Sequence, residues 1–169
     1  MTDEQAADFT ALLDFLNDTS SQLRTFSSEL TNTQLRVQDP PGEFSVLENV
    51  CHLRDLELQG YTVRIKRMLG ENEPELADFD GARVAAESDY NNERLDVALD
   101  AFQKARTENL TKLRNLTTAE LENGGSLEGV GRITLRRLAE MMREHDEGHL
   151  DDLRVLSQRL KRRVEAASS

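Results

Sequence analysis

Three histidines are all the chain possesses, and two of them, His145 and His149, stand one helical turn apart. Imidazoles four residues apart share one face of a helix, which is how a single helix offers two nitrogens to one ion. Projected at 100° per residue, Leu135, Leu138, Met142, His145, His149, Leu153, Leu156 and Leu160 fall within an arc of roughly 80°. Both rings therefore sit in the core-facing stripe of a helix. Burying an imidazole without a partner costs about 1–3 kcal/mol, against roughly 5–15 kcal/mol that holds a whole domain together. Something must satisfy the two rings. A divalent metal would satisfy both at once; the plainer alternative is hydrogen bonding within the core or access to solvent at the end of a bundle. The zinc-protease helix motif fails here, because Asp146 follows His145 where that motif carries glutamate.

The third histidine, His52, lies in the segment LENVCHLRDLE. Projection puts it beside Ser45, Asn49, Leu56, Gln59 and Val63, away from the densest apolar side of Val46, Val50, Tyr61 and Met68. By pattern alone it is a surface or pocket-edge residue. Joined to the other two, it would complete three imidazoles from two helices with an open fourth position, the arrangement of a catalytic rather than a structural metal.

Arg106 falls near the centre of an apolar stripe made by Leu95, Leu99, Phe102, Leu110 and Leu113. A guanidinium there must pair with a carboxylate or reach a polar cavity, so it is either an anchor for an anionic substrate group or a structural salt bridge. Asp55, Glu57, Glu144, Asp146 and Asp152 are candidates to orient the imidazoles, with Asp55 nearest His52 and Asp152 nearest His149 by helical geometry. The lone cysteine, Cys51, points about 100° away from His52 and reads as a small core residue.

Four long helical segments must position these groups. The first runs from about Asp3 to Leu30 behind a Thr2/Gln5 capping box, with Phe9, Leu12, Leu16, Leu23, Phe26 and Leu30 inward. Pro40, Pro41 and Gly42 interrupt the chain. The second starts at Ser45, which forms a capping box with Glu48, and ends near Leu69 at Gly70. A stretch of about twenty residues follows; with Pro74 and Gly81 it reads as irregular, and a loop of that length is often functional. The third helix spans about Asn92 to Leu116. A second loop holds Gly124, Gly125, Gly129 and Gly131, read as turn residues because no lysine follows in phosphate-loop spacing. The fourth helix starts near Thr134 and runs to about Val164. No strand pattern emerges. The expectation is an all-α, antiparallel four-helix bundle with long connecting loops, forming a single domain over residues 1–169.

A formal net charge of −11 disfavours nucleic acid and anionic membranes as partners, and the basic run of Lys161, Arg162 and Arg163 complements a helix dipole. One cysteine permits no intrachain disulfide. No signal peptide or membrane span is evident, so a cytoplasmic protein acting on a small-molecule substrate is expected.

The segment PGEFSVLENVCHLRDLE, with Phe44, Ser45, His52 and Leu53, resembles the signature of the DinB-like family, the damage-inducible proteins that include the YfiT-like group. The segment GRITLRRLAEMMREHDEGHLDDL, with Gly131, Thr134, Leu135, His145, Asp146 and His149, is similar to that family's closing motif. Phe44 departs from a common tryptophan, which touches packing more than chemistry. The resemblance implies a metal site of His52, His145 and His149 at one end of the bundle, zinc or nickel as the metal, and a homodimer. It also implies a reaction in which the metal activates a low-molecular-weight thiol cosubstrate, as in thiol transfer, or water. The alternative is a noncatalytic metal- or ligand-binding stress-response protein.

Overall fold

The computed structural model describes residues 2–167; Met1, Ser168 and Ser169, which the one-domain expectation includes, lie outside them. Helix α1 spans Asp3–Ser28, and both halves of its Thr2/Gln5 capping box are made. Ser45 and Glu48 cap the second helical element in the same reciprocal way. That element is one continuous rod in three parts: α2 (Val46–Asp55), a π-helical segment (Leu56–Tyr61) and α3 (Thr62–Gly70). Helix α5 spans Leu95–Arg114 and α6 spans Leu135–Ala167. The starts of α1 and α2 agree closely with the sequence reading because their caps satisfy amides the helix itself cannot; α5 has no side-chain cap and starts three residues after the expected Asn92.

The connections hold more structure than expected. The stretch after Gly70 contains a short strand, β1 (Glu75–Leu76), a helix, α4 (Gly81–Glu87), and a 3-10 turn at Tyr90–Asn92. The glycine-rich loop is a hairpin of β2 (Gly124–Leu127) and β3 (Gly131–Thr134). β1 pairs parallel with β2, and β2 pairs antiparallel with β3, in the order β1-β2-β3. The expectation of an all-α chain is corrected to a mostly helical one with this small sheet. The strands escape pattern reading because two to four residues, several of them glycine, carry no alternation to detect.

Helix α1 packs on α6 and α5, and α2 packs on α5 and α6. Apolar side chains between them form two clusters. One is centred on Leu13, Leu16, Ile65, Leu110 and Met142, the other on Leu23, Val50, Phe102 and Leu153. A belt of buried polar residues lies between the clusters on every long helix: Thr19, Glu57, Arg106, Asn109 and Asp146. The histidines of α6 fall at this level, between Met142 and Leu150. The family resemblance implies a site at one end of the bundle.

The π-helical segment explains a second departure. Its backbone bonds run i→i+5, so the chain turns less per residue than an α-helix. A uniform 100° projection therefore loses phase beyond Asp55. Gln59 and Val63, placed beside His52 by that projection, are exposed, while Glu57 is wholly buried. Thr62 Oγ1 donates to the Glu57 carbonyl at 2.8 Å, taking up a backbone acceptor in the widened turn.

Candidate metal centre

Histidine 52 is carried on α2, and His145 and His149 on α6. One nitrogen from each ring can be chosen so that all three lie within 4.8 Å of one another. Ring centroids are 5.4 Å apart for His52–His145, 4.9 Å for His52–His149 and 4.4 Å for His145–His149. The Nε2 atoms of His52 and His145 face each other at 3.4 Å. An ordinary N–H hydrogen bond would draw such a pair to about 2.9–3.0 Å. Two nitrogens bound at about 2.0–2.1 Å to one tetrahedral ion would instead stand about 3.3–3.4 Å apart.

Electrostatics favours neutral rings. Burial, followed by the neighbouring His149, pushes His52 down to about 4, with Asp55 opposing. Burial, then His149, His52 and Arg106, pushes His145 down to about 3. Burial also lowers His149, against the pull of Asp152 and Asp146. At neutral pH all three rings are therefore uncharged, each with one N–H and one nitrogen lone pair. The Nδ1 atoms of His52 and His145 are buried without a hydrogen-bond partner. Three converging neutral imidazoles, each with one nitrogen lone pair, are a donor set that suits a borderline divalent cation. The residues present therefore fit a metal.

His149 is the ring whose orientation is held. Its Nδ1 lies 2.7 Å from Asn49 Oδ1. The Asn49 amide cannot turn over freely, because its Nδ2 donates to Ser45 O at 2.9 Å and Phe44 O at 3.3 Å. Oδ1 is thereby left to accept from Nδ1–H, which frees Nε2 as the ligand atom. Sequence reasoning placed Asn49 beside His52 but gave it no role; its partner His149 lies a hundred residues on, so no local spacing signals the contact.

The carboxylates considered for that role are placed otherwise. Asp55 accepts from Arg54 at 2.8 Å and from the Tyr90 hydroxyl at 2.8 Å. Glu144 pairs with Arg137 on the surface. Asp146 and Glu57 belong to the buried belt. Asp152 lines a cleft of about 510 Å³ together with His149, Asn49 and Phe44.

Arg106 is the centre of the belt and is only 2% exposed. Nη1 donates to Asp146 at 2.6 Å and to Leu16 O at 3.1 Å, Nε donates to Glu57 at 2.9 Å, and Nη2 reaches Asp146 at 3.2 Å. Thr19 donates to Asp146 and Asn109 to Glu57, at 2.8 and 2.7 Å. Burial works against the Arg106 charge, but Glu57 and Asp146 outweigh it and hold its pKa above the ordinary arginine value. This geometry is the structural salt bridge that the sequence left as an alternative to a substrate anchor. The belt ties α1, the π-helical segment, α5 and α6 together next to His145.

The far side of His52 is covered. Phe44 and Phe79 flank its ring at 5.5 and 6.1 Å between centroids. Gly81, at the start of α4, approaches so closely that a Cβ there would stand 2.6 Å from His52 Cε1. The long connection after Gly70 thus excludes water from one flank of the imidazole cluster. Cys51 is buried, as expected, and burial pushes its thiol up to about 12, which leaves it a poor nucleophile.

The model of the DinB superfamily matches residues 4–153 of this chain. No curated protein matches it. Among solved structures, YfiT from Bacillus subtilis, described as a probable metal-dependent hydrolase with an unusual four-helix bundle topology, is similar in fold. It aligns with a TM-score of 0.85 over 95% of this chain and 90% of its own, at 22% identity. Among the described residues, no helix is long and apolar enough to cross a membrane.

Proposed function

This chain belongs to the DinB superfamily, and we propose that it is a metal-dependent enzyme in which His52, His145 and His149 hold one divalent cation, zinc or nickel. The observation that carries this reading is the convergence of three neutral imidazoles, His52 buried and His145 and His149 half-buried, with the His52 and His145 Nε2 atoms at the 3.4 Å separation suited to two ligands of one ion. A cation bound there supplies Lewis acidity, lowering the pKa of a water or thiol at its open position so that it can attack near neutral pH. The YfiT likeness is consistent with hydrolysis in that protein; a low-molecular-weight thiol as the attacking cosubstrate is the reading carried by the family resemblance.

The protein's own residues prepare this chemistry. Burial keeps the rings deprotonated and ready to donate. Asn49 fixes which nitrogen of His149 is presented. Phe44, Phe79 and Gly81 keep water from the flank of His52, so that access is from the side where His149 meets the cleft. The Arg106 belt fixes α6 against α5 and thus the height of His145.

The test is metal analysis of stripped and reloaded protein. One divalent ion per chain is expected, with stoichiometric uptake lost in His149→Ala. Failure of the parent protein to take up metal would overturn the site. The loaded protein should accelerate hydrolysis of an ester, or conjugation of a small thiol to an electrophile. Activity that persists when all three histidines are replaced would overturn the mechanism. Full metal occupancy with neither activity would favour a noncatalytic binding protein.

A further inference from the structure

The cleft beside His149 has walls of unlike origin and an uneven distribution of charge. One wall is the face of α6 that carries His149, Asp152, Leu156 and Arg159; the other is the loop of residues 39–44. Its volume of about 510 Å³ is in the range that encloses a small molecule rather than a few waters. The cleft presents two carboxylates, Asp152, close enough to act on the His149 charge, and Glu43, which directly precedes the Phe44 that flanks His52; neither makes an ion pair among the described residues. At the other end stands Arg159, whose one described polar contact is a long 3.5 Å approach of Nη1 to the Asp39 carbonyl. The Asp39 carboxylate does not neutralise it, being paired with Arg163 at 2.9 Å. Asp152 and Arg159 are seven residues apart on one helix, about 10 Å along its axis. The cleft is thus negative beside the histidines and positive about 10 Å away.

We propose that this cleft binds the organic part of the substrate, and that it selects a small molecule with a cationic amine beside its reacting group and an anionic group about 10 Å further along. The amine is held by Asp152 and Glu43, the anion by Arg159, and the apolar edges of Phe44, Val155 and Leu156 cover the chain between. The placement of the reacting group rests on the metal-centre reading; the charge selectivity of the cleft does not. The three charged residues are exposed, so each contact is worth a modest factor and the selectivity comes from having both ends at the right spacing.

The probe is 8-aminooctanoate, whose extended chain spans that distance, compared with its N-acetyl derivative and its methyl ester. Each control lacks one charge. Dissociation constants are measured by NMR titration of the full chain, stripped of metal, so that failure to take up metal and failure of the cleft are separate results. The zwitterion is expected to bind about two- to fivefold more tightly than either control. Arg159→Gln should reduce the zwitterion to the level of the ester and leave the ester unchanged. Asp152→Asn with Glu43→Gln should reduce it to the level of the N-acetyl compound. Equal affinities for the three molecules, no measurable binding of the zwitterion, or a zwitterion affinity indifferent to Arg159→Gln would each overturn the proposal.

Discussion

Asn49 offers a perturbation in which metal affinity and fold stability separate. Its side chain is 4% exposed and makes three hydrogen bonds: it accepts from His149 Nδ1 and donates to the carbonyls of Ser45 and Phe44. Asn49→Ala removes all three. Ser45 O keeps its bond from the Asn49 backbone amide, so the chief losses are the partner of His149 Nδ1–H and that of Phe44 O. At about 1 kcal/mol net for each bond, the fold should lose about 2 kcal/mol. Loss of the group that orients a ligand histidine lowers metal affinity about 10–100-fold, or about 1.4–2.8 kcal/mol. Asn49→Asp divides these effects. An aspartate still accepts from Nδ1–H but cannot donate to either carbonyl, so the fold should weaken while metal affinity stays within a few-fold of the parent. Affinity is read by competition with a chromophoric chelator, stability by urea denaturation of metal-free protein, and geometry by the visible spectrum of the cobalt-loaded form. An Asn49→Ala protein that binds metal as tightly as the parent with an unchanged cobalt spectrum would refute the orienting role. So would an Asn49→Asp protein as weak for metal as the alanine variant.

Other substitutions address the belt, the cover and the protonation state. Arg106→Met leaves two wholly buried carboxylates without their cation and should destabilise the fold by about 3–5 kcal/mol, measured by denaturation; a loss below about 1 kcal/mol would show that the belt does not hold the helices. Gly81→Ala must displace either the His52 ring or α4, since the new Cβ would lie 2.6 Å from Cε1; a roughly tenfold loss of metal affinity is expected with little change in stability, because α4 buries none of its residues. Metal-free protein should lose stability on acidification. His52 and His145 are held at about 4 and about 3, below the 6.5 of the unfolded chain. The unfolded state therefore takes up protons first, and the loss begins as pH falls through about 6.5 and continues towards 4 and below. The drop should be on the order of 3 kcal/mol for His52 alone. Denaturation midpoints that are flat between pH 7 and pH 5 would contradict it.

The residues themselves disclosed the helical frame and part of the site. Local chemistry is enough for a cap: Thr2 with Gln5, and Ser45 with Glu48, satisfy amides within one turn of their own chain. The α6 stripe was equally legible, since a regular helix carries its periodicity for its whole length, and it placed His145 and His149 on the inner face. His52 was not legible by spacing, because the π-helical segment after Asp55 breaks the phase on which projection depends; the family motif supplied it. The strands were hidden for a related reason: they are too short to show alternation, and β1 is defined only by pairing with β2 some fifty residues on. Only the tertiary structure decided what Arg106 touches, which polar group holds His149 and how near Gly81 comes to His52. Those contacts join helices distant in sequence, and a buried charge or amide takes whatever partner the packed fold brings to it. The sequence by itself determined which residues could serve a metal, while packing determined that their nitrogens meet.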